Sequence, residues 1–484
     1  MVECILIGAI RYTVEQRLVS CNEVTRSCCK RQFIEENNKK FFYMDYLNWS
    51  LHKDLGIIYD LNNIPSSICI NIAQYLEEME VSVKVVPELD QGKDLLKKYI
   101  EQGTRVVVIS SGTIYNAIPL KRAIKVIRKI SSDIHIIVCG NYIYNKWKTS
   151  SQKEWEDLKN TLNADFYITN AFEKESIYKL IKKCIKGPLS ADSEDLNDIK
   201  TTCGKGVIKF KYFDYTYENM AFVNTSVGCT SKCSFCNFPI RNSSYKVVDY
   251  EVLDKWLGSL AIADVEFLSF SDDTFNAPKK HFLEVCKILK KYHFKWFAYC
   301  RIKEMDSQTL DLMKDSGCLG VYVGIESGNN TILKNMNKGC NTDDIKKSVQ
   351  LLRNKGFIIC AFLIVGFPGE TDQTVEQTIK FINNLKIDFF TANLWYADIS
   401  TPVFAQKEKF LLKGEGFEWR HFTMNSVQAS HLTDIVMKSI KNSMWVPNEN
   451  FGFQGIVYLL SRGYSVTQVK DVIKGMNNIL FKQV

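Results

Sequence analysis

Apolar runs and amphipathic segments alternate along the first part of the chain. Short runs such as "ECILIGAI" (3–10), "RVVVISS" (105–111) and "IHIIVCG" (134–140) have the length and composition of buried strands. Segments between them, for example "SSICINIAQYLEEME" (66–80), repeat apolar residues at helical spacing. Because strands that alternate with helices indicate a parallel, doubly wound sheet, we predict an N-terminal Rossmann-like α/β domain over residues 1–195. Its ligands should lie beyond the carboxyl ends of the strands.

A polar stretch at residues 186–206 interrupts this pattern and predicts a linker. A second alternating series follows, whose candidate strands are "VEFLSFSDD" (265–273), "WFAYCRI" (296–302), "GVYVGIES" (320–327), "IICAFLIVGFPG" (358–369) and "FFTANLWYA" (389–397). This pattern predicts a partial (β/α) barrel over residues 196–400, with its chemistry at the carboxyl ends of the strands. Residues 401–484 contain few strand-like runs and predict a helical C-terminal region.

Composition and charge narrow the class of protein. Of 484 residues, 46% are hydrophobic and 24% charged, which is typical of a soluble globular protein. No apolar run approaches the roughly 18 residues that span a bilayer, so we expect no membrane association. The start "MVECILIGAIRY" has an acidic residue where a signal peptide needs a basic one, and no small-residue cleavage site follows, which favours a cytoplasmic location. The net charge of +8 is dispersed along the chain, and we expect no nucleic-acid partner.

The sixteen cysteines fall into two kinds. Most stand singly in apolar runs, where cysteine behaves as a small hydrophobic residue; examples are Cys69, Cys286, Cys300 and Cys318. Three others cluster in "SVGCTSKCSFCNFP" (226–239), at Cys229, Cys233 and Cys236. In a reducing compartment clustered thiols indicate metal binding. Zinc would need a fourth ligand close by, whereas an iron–sulfur cluster on three thiolates keeps one iron open.

The C-x3-C-x2-C spacing, with the aromatic Phe235 before the third cysteine, resembles the radical S-adenosylmethionine (SAM) superfamily. The resemblance implies a 4Fe–4S cluster on Cys229, Cys233 and Cys236, with Phe235 close to the cofactors. It also implies that SAM binds the open iron and is cleaved reductively to a 5′-deoxyadenosyl radical, which abstracts hydrogen from the substrate. The electron would come from an external donor of the flavodoxin or ferredoxin type.

Three further segments match the same superfamily and imply SAM contacts. They are "FSDDTF" (270–275), "YVGIESGNNTILKNMNKG" (322–339) and "FLIVGFPGET" (362–371). The resemblance assigns the SAM amino group to Ser271 and Asp272, the carboxylate to Arg301, the ribose to Glu326 and Ser327, and the adenine to Ile364 and Gly366.

Outside the barrel, the chain carries "YMDYLNW" (43–49), "GTIYNAIPLKRAIKVIRK" (112–129), "NADFYIT" (163–169) and "WRHFTM" (419–424). These motifs resemble the class with a cobalamin-binding-like domain, in the branch that contains proteusin peptide epimerases and phosphinothricin-type P-methyltransferases. Such a domain suggests cobalamin, but the lower-axial pattern D-x-H-x-x-G is absent. Cys139-Gly140 replaces the usual Gly-Gly pair, and Lys174 stands at a further glycine position. A side chain at position 139 crowds a place where only backbone should approach a ligand. We therefore expect a cobalamin-like domain that is empty.

Two residues are candidates for the chemistry on the substrate. Side chains alternate along a strand, so Cys360 shares a face with Ile364 and would point into the barrel. There its thiol could return a hydrogen atom to a substrate radical, or it could be one of the small hydrophobic residues that fill barrels. His421 in "WRHFTM" (419–424) could be a base or a substrate ligand, or a hydrogen-bonded surface residue.

From these residues we favour a radical SAM enzyme that acts on a precursor peptide and epimerises L- to D-residues in it. An alternative is a cobalamin-dependent methyltransferase acting on carbon or phosphorus. An alternative of another class is a non-catalytic iron–sulfur sensor or binding protein.

Overall fold

A computed structural model describes residues 2–10, 23–55, 67–90, 92–112, 114, 116–169, 174–186, 219–237, 245–448 and 451–484. The chain forms two compact units. The first contains Met1–Gln16 and Asn62–Glu218, and the second contains Arg17–Leu61 and Asn219–Val484. The predicted boundary at residue 195 and nearly all of the predicted linker lie outside the described residues.

The strands are numbered in chain order. They are β1 Cys4–Ala9, β2 Phe33–Glu36, β3 Lys39–Phe42, β4 Val83–Glu88, β5 Val106–Ser110, β6 His135–Cys139, β7 Phe166–Tyr167, β8 Met220–Val223, β9 Ser226–Val227, β10 Lys246–Val247, β11 Phe267–Phe270, β12 Lys295–Cys300, β13 Cys318–Glu326, β14 Ile358–Val365, β15 Phe389–Leu394, β16 Lys413–Glu415, β17 Glu418–Arg420 and β18 Met444–Trp445.

The helices are numbered in the same way. They are α1 Glu23–Lys30, α2 Tyr43–Leu55, α3 Ser67–Glu78, α4 Lys93–Glu101, α5 Ile118–Ile130, α6 Asn141–Thr149, α7 Gln152–Leu162, α8 Lys174–Lys186, α9 Tyr250–Ile262, α10 Lys279–Leu289, α11 Ser307–Asp315, α12 Asn330–Asn335, α13 Thr342–Asn354, α14 Asp372–Leu385, α15 Lys407–Phe410, α16 Ser426–Ser439, α17 Gly452–Ser461 and α18 Val466–Leu480. Short 3-10 turns lie at Ile302–Glu304 and Pro402–Gln406.

The first unit is built on a five-stranded sheet in the order β4-β1-β5-β6-β7, with every pair parallel. Alternate side chains enter a core on one face, where Ile136 and Val138 meet helix residues such as Leu120 and Ile124. The chain leaves β1 toward β4 and returns on the other side at β5, so the strand order reverses between β1 and β5. Ligands of doubly wound sheets bind at such a reversal. The predicted Rossmann-like sheet is confirmed.

The second unit is built on a seven-stranded sheet in the order β18-β15-β14-β13-β12-β11-β8, again with every pair parallel. Successive strands from β11 to β15 are neighbours, each joined to the next through a helical crossover. The carboxyl ends of these strands therefore meet at one edge, as a partial barrel requires. The predicted partial barrel is confirmed.

Two stretches are grouped differently from the predicted domains. Residues 23–55 pack in the second unit: Arg31 pairs with Asp434 at 2.5 Å, and the Tyr43 hydroxyl lies 3.2 Å from the side-chain oxygen of Asn477. The predicted helical region after residue 400 is mainly helical, but it also contains the β16–β17 hairpin and contributes β18 to the large sheet. Main-chain pairing of β18 with β15 makes that region part of the same unit.

Among the helices that the structure describes, none is long and apolar enough to cross a membrane.

Candidate active site at the carboxyl edge of the large sheet

The cysteine loop follows β8 and β9 at the carboxyl edge of the large sheet. Cys229, Cys233 and Cys236 are partly exposed thiols, and none forms a disulfide. Between them Ser234 is buried: its amide N–H donates to the carbonyl of Met336 at 2.8 Å and its hydroxyl donates to the carbonyl of Asn335 at 2.9 Å. The loop is thus pinned to the end of α12 while its three thiols stay accessible.

The donor set of this loop fits an iron–sulfur cluster. In such a cluster each thiolate binds its own iron, so the three sulfur atoms need not converge on one point. Within the described ranges, no three His, Cys, Asp or Glu side chains converge closely enough to hold a single metal ion. The arrangement therefore gives no support to a mononuclear zinc site, and the three thiols remain the ligands that a 4Fe–4S cluster would take.

Glu326 ends β13 beside this loop in an unusual backbone conformation. Its φ is +63°, and the register of β13 with β14 shifts between Gly324 and Glu326. The Glu326 carboxylate accepts from the Lys338 ammonium at 2.7 Å, and the two side chains are only 7% and 16% exposed. Lys338 also lies 5.6 Å from the ring centre of Phe235. Glu326 and Phe235, two of the residues singled out from sequence, are therefore brought together through a lysine that sequence reasoning missed.

Arg301 follows β12, the strand next to β13, and thus lies at the same edge. Its side chain is partly exposed, and a Cβ built on Gly339 would stand 4.0 Å from its Nη2 atom. Burial raises the pKa of the Cys233 thiol. The positive charges of Lys338 and Arg301 oppose that rise. Lys338 is already paired with Glu326, so Arg301 is the cation of the two that suits a ligand carrying a carboxylate.

Ser327 and Ser271 differ in how they could meet a ligand. Ser327 is fully buried, with its hydroxyl 3.2 Å from that of Thr378 and accepting from the Asn329 N–H at 3.2 Å. Its hydroxyl is therefore already used to shape the turn that precedes α12. Ser271 is exposed at the end of β11, where its side chain faces no such constraint.

Asp272 is buried and does not face the edge. It accepts from the backbone N–H and the hydroxyl of Thr225 and from the hydroxyl of Ser226, at 3.1, 2.7 and 2.6 Å. Burial raises the pKa of this carboxyl to about 6, and the hydrogen bonds from Ser226 and Thr225 oppose the rise. The predicted contact with the SAM amino group has no support in this geometry.

The turn after β14 is tightly constrained around Gly366. Gly366 has φ +91°, and a Cβ there would stand 2.6 Å from Cβ of Ala429 and 2.7 Å from Cη2 of Trp419, so only glycine fits. The buried carboxylate of Glu370 accepts from the Gly366 N–H. Ile364, two residues earlier on β14, keeps its side chain partly exposed. Gly366 and Ile364 are thus presented at the edge by a rigid turn.

His421 supports this turn from the C-terminal region. It is buried, its Nε2 lies 3.1 Å from the carbonyl of Gly366, and its ring stacks on Trp419 at 5.2 Å between centres. Its Nδ1 lies 3.0 Å from the hydroxyl of Thr423. Burial lowers the pKa of His421 to about 4, so the ring is neutral near pH 7. Of the roles open to His421, this geometry supports a positioning residue for the backbone of Gly366.

Cys360 lies deep in the sheet and not at its edge. It is fully buried, level with Tyr322 and four residues before Ile364, which is about 13 Å along a strand. Above it Phe362 stacks on Tyr299 at 5.9 Å and packs edge-on against Phe453 at 4.8 Å. Because side chains alternate along β14, the Cys360 side chain lies on the same face as Phe362. The rings of Phe362, Tyr299 and Phe453 separate its thiol from the carboxyl edge of the sheet.

In the first unit, the loops after β5 and β6 lie at the carboxyl edge of the sheet, where ligands of doubly wound sheets bind. Gly140 has φ +101°, and a Cβ there would stand 3.0 Å from the backbone nitrogens of Ser111 and Gly112. The Ser111 hydroxyl donates to the carbonyl of Cys139 at 2.6 Å and fixes the two loops together. Backbone and small side chains therefore form this edge, which fits a cofactor that approaches main chain closely.

The positions at which this sequence departs from the family pattern lie in different parts of the first unit. The Cys139 side chain is 1% exposed and is turned into the interior, where its Sγ lies 3.7 Å from the carbonyl of Ile109 and near Cys69 of α3. It does not project from the edge. Lys174 begins α8. His135, in the segment "DIHIIV" (133–138) that starts like the absent D-x-H-x-x-G pattern, begins β6 and so lies at the opposite, amino edge of the sheet.

Comparison with known proteins agrees with this architecture. Residues 223–382 match the family model of the Radical SAM superfamily. The chain is 31% identical over 212 residues to "Uncharacterized methyltransferase PH0819" of Pyrococcus horikoshii, covering 42% of this chain and 44% of that protein. It is 29% identical over 219 residues to the anaerobic magnesium-protoporphyrin IX monomethyl ester cyclase of Rubrivivax gelatinosus, covering 43% and 38%. The chain therefore spans less than half the length of these two relatives.

Among solved structures, the radical SAM methyltransferase TsrM from Kitasatospora setae, with cobalamin and a [4Fe-4S] cluster bound, aligns with a TM-score of 0.63. The alignment covers 87% of this chain and 96% of TsrM at 14% identity, so it establishes a shared fold. The superfamily match, the cysteine loop and the parallel sheet identify residues 223–382 as a radical SAM domain.

Proposed function

We propose that the chain is a cobalamin-dependent radical SAM methyltransferase acting on carbon or phosphorus. The observation that carries the proposal is the edge after β5 and β6, where the backbone and small side chains at Ser111 and Gly140 lie beside the point at which the strand order of a five-stranded parallel sheet reverses. The name of the Pyrococcus relative and the fold shared with a cobalamin-bound methyltransferase support the same assignment. The sequence had favoured epimerisation with an empty domain, and neither the relatives nor the burial of Cys360 supports that preference.

The residues divide the work between the two units. Cys229, Cys233 and Cys236 would hold the cluster, and Arg301 would take the carboxylate of SAM. When bound, the cluster supplies the electron that cleaves SAM, and cobalamin supplies the carrier for the methyl group. Ser111 and Gly140 shape the edge that would hold cobalamin. A peptide acceptor and an external one-electron donor of the flavodoxin or ferredoxin type complete the proposal.

Isotope labelling separates methyl transfer from epimerisation. The reduced, reconstituted protein is incubated with cobalamin and a candidate peptide, once with SAM deuterated in its methyl group and once with ordinary SAM in deuterated water. Methyl transfer places the deuterated methyl group in the product of the first reaction. Epimerisation instead places one solvent deuterium per inverted residue in the product of the second. The proposal fails if only the second label appears.

A binding measurement tests the cofactor without an acceptor. Stoichiometric cobalt in protein purified after growth with cobalamin supports the proposal, and its absence at saturating cobalamin contradicts it. The Cys139→Gly variant is the matched comparison. Because the Cys139 thiol faces the interior, we expect the variant to bind cobalamin no more tightly than the natural protein. A large gain in affinity would show that this side chain obstructs the site, as the sequence suggested.

A further inference from the structure

Two consecutive carboxylates at the end of β11 hold the segment that leads into the cysteine loop. Residues 225–228, which we call the approach segment, immediately precede Cys229. Asp272 accepts from three donors on Thr225 and Ser226, and Asp273 accepts from the Gly228 N–H at 2.8 Å. Three of the four residues of the approach segment are therefore tied directly to one strand end.

The anchor extends behind Asp272 into a buried polar chain. The Thr225 hydroxyl also lies 2.8 Å from Nε2 of His281, and Nδ1 of His281 lies 3.2 Å from the hydroxyl of Tyr250. The His281 and Tyr250 rings stack at 5.8 Å. Because Asp272, Thr225 and His281 are all buried, each of these groups has lost water and depends on its partners in this chain.

The approach segment needs such an anchor. Gly228 has φ +97°, which turns the chain sharply just before the first cysteine. On its other side the segment meets the short strand β10, whose Val247 and Lys246 pair with Ser226 and Val227, and the Val248 N–H donates to the carbonyl of Thr225 at 2.9 Å. Hydrogen bonds to a buried carboxylate are among the stronger ones in proteins, so Asp272 dominates the position of this segment.

We infer that Asp272, with Asp273, is a positioning residue that fixes Cys229 for cluster binding, and that Asp272 is not a ligand of SAM. This assignment holds whichever reaction the enzyme catalyses on its substrate. It differs from the role that the superfamily resemblance implied for Asp272, because the buried carboxylate is engaged by donors of the approach segment.

The decisive variant is Asp272→Asn in the full chain, reconstituted anaerobically with iron and sulfide. The amide has the same size as the carboxyl group, but its N–H₂ group cannot accept hydrogen bonds from the donors on Thr225 and Ser226. We expect iron to be released to a chelator about 10-fold faster than from the natural protein, as is typical when a group behind a metal ligand is changed. Protein that retains its cluster should still show the change in its electron paramagnetic resonance spectrum on adding SAM.

Two variants at Thr225, one without and one with the hydroxyl, provide the matched comparison. Thr225→Val removes the hydroxyl that joins Asp272 to His281, and Thr225→Ser retains it, so the first should release iron faster and the second should restore retention. Thr433→Val is the control, since Thr433 is equally buried but its hydroxyl donates only within α16, to the carbonyl of Ala429 at 2.8 Å. It should retain iron as the natural protein does.

Two results would overturn the inference. One is an Asp272→Asn protein that retains iron normally but no longer changes its spectrum with SAM, which would make Asp272 a SAM ligand. The other is a Thr225→Val protein that retains iron as well as Thr433→Val. If Asp272→Asn fails to fold, Thr225→Val and Asp273→Ala decide in its place, because each removes one of the anchoring hydrogen bonds and leaves the Asp272 carboxylate present.

Discussion

Lys338 carries a charge that is enclosed between Glu326 and Phe235, next to Cys233. Burial alone lowers the pKa of Lys338, but the opposing carboxylate of Glu326 more than reverses this, and the net pKa is raised. The lysine is therefore charged under all ordinary conditions. Removing one partner of such a pair leaves the other charge buried and uncompensated, whereas removing both leaves no charge at all.

We predict strong coupling between these two side chains. Lys338→Met should lower the free energy of unfolding by about 3–5 kcal/mol, and the double variant Lys338→Met with Glu326→Gln should lose less than this single change. Denaturant titrations of the single and double variants under anaerobic conditions measure the coupling. As a control, Lys287→Met disrupts an exposed pair with Glu284 and should cost no more than about 1 kcal/mol. Additive effects at Glu326 and Lys338 would contradict the prediction.

A second prediction concerns Cys360. Replacing this thiol by alanine removes one buried atom, and we expect a loss of about 1 kcal/mol in stability with cluster content unchanged. Since Phe362 and Phe453 separate Cys360 from the edge, Cys360→Ala should form product and 5′-deoxyadenosine at the natural rates. If 5′-deoxyadenosine accumulated while product formation stopped, Cys360 would be the hydrogen-atom donor and epimerisation would regain its support.

Single residues were predictable from sequence where their role is set by local spacing. The three cysteines lie within eight positions, so their pattern is readable without a fold. Asp272 and His421 behave differently, because their partners are 46 or 47 and 55 positions away along the chain. Sequence placed both near the active edge, but the direction in which each side chain points is a property of tertiary packing.

The turn after β14 contains Gly366, whose backbone conformation favours glycine, and the buried carboxyl group of Glu370. Glu370 accepts from the N–H of Gly366, and burial raises the pKa of Glu370 to about 8 although these backbone hydrogen bonds oppose the rise. An unfolded glutamate titrates near 4.3. The folded protein therefore binds this proton more tightly than the unfolded chain does, and stability falls as the pH rises from about 4.3 toward 8.

The comparison with Glu370→Gln isolates this group between pH 6.5 and 8. The pKa of Asp272 is raised to about 6 and the pKa values of His281 and His421 are lowered to about 4, but these groups are present in both proteins, so their contributions cancel in the difference. We predict that the natural protein loses stability over this range by up to about 1.4 kcal/mol per pH unit relative to Glu370→Gln. Thermal unfolding of both proteins at several pH values measures the difference.

The matched control for this prediction is Glu376→Gln. Glu376 lies on an exposed face of α14 and pairs with Lys380 at 3.5 Å, and such an exposed pair contributes little to stability. Its pH profile should follow that of the natural protein. Equal slopes for Glu370→Gln and the natural protein would mean that Glu370 is ionised throughout the range.

The hairpin of β2 and β3 shows why some secondary-structure elements were not predicted from the sequence. The stretch "EENNKKFF" (35–42) has the density of charge and amide side chains that suggests a solvated segment. In the structure Asn37 and Asn38 have φ of 52° and 60°, which forms the two-residue turn that suits right-handed strand twist, and β2 pairs with β3 around it. Asparagine tolerates this conformation, so the hairpin signal was present but was hidden by the charged residues beside it.

For the whole molecule, the order of elements was predictable but their grouping was not. Alternating strands and helices predict two parallel sheets, because a right-handed crossover leaves few other arrangements. Nothing in that pattern indicates that residues 23–55 pack with α16 and α18. That grouping depends on contacts such as Arg31 with Asp434, which join positions 403 residues apart. Domain boundaries drawn from sequence order therefore missed a segment that is discontinuous with its unit.

The two compact units lead to a prediction about the enzyme as a whole. If the cluster belongs to the second unit and cobalamin to the first, each cofactor should be removable without the other. Cys233→Ala should lose the cluster and all SAM cleavage yet bind cobalamin like the natural protein. Gly140→Val should do the reverse, because its side chain would collide with the backbone at Ser111 and Gly112.

Iron, cobalt and 5′-deoxyadenosine, measured on both proteins, test this separation. We expect the Gly140→Val protein to keep its iron and to cleave SAM without transferring a methyl group. Its altered loop should reduce stability by about 1–2 kcal/mol, the usual cost of a side chain in a left-handed backbone conformation, so it should still be folded. Normal cobalt binding by Gly140→Val would place cobalamin elsewhere or nowhere. Cobalamin lost together with the cluster in Cys233→Ala would mean that the two cofactors do not bind independently, and the assignment of one cofactor to each unit would have to be given up.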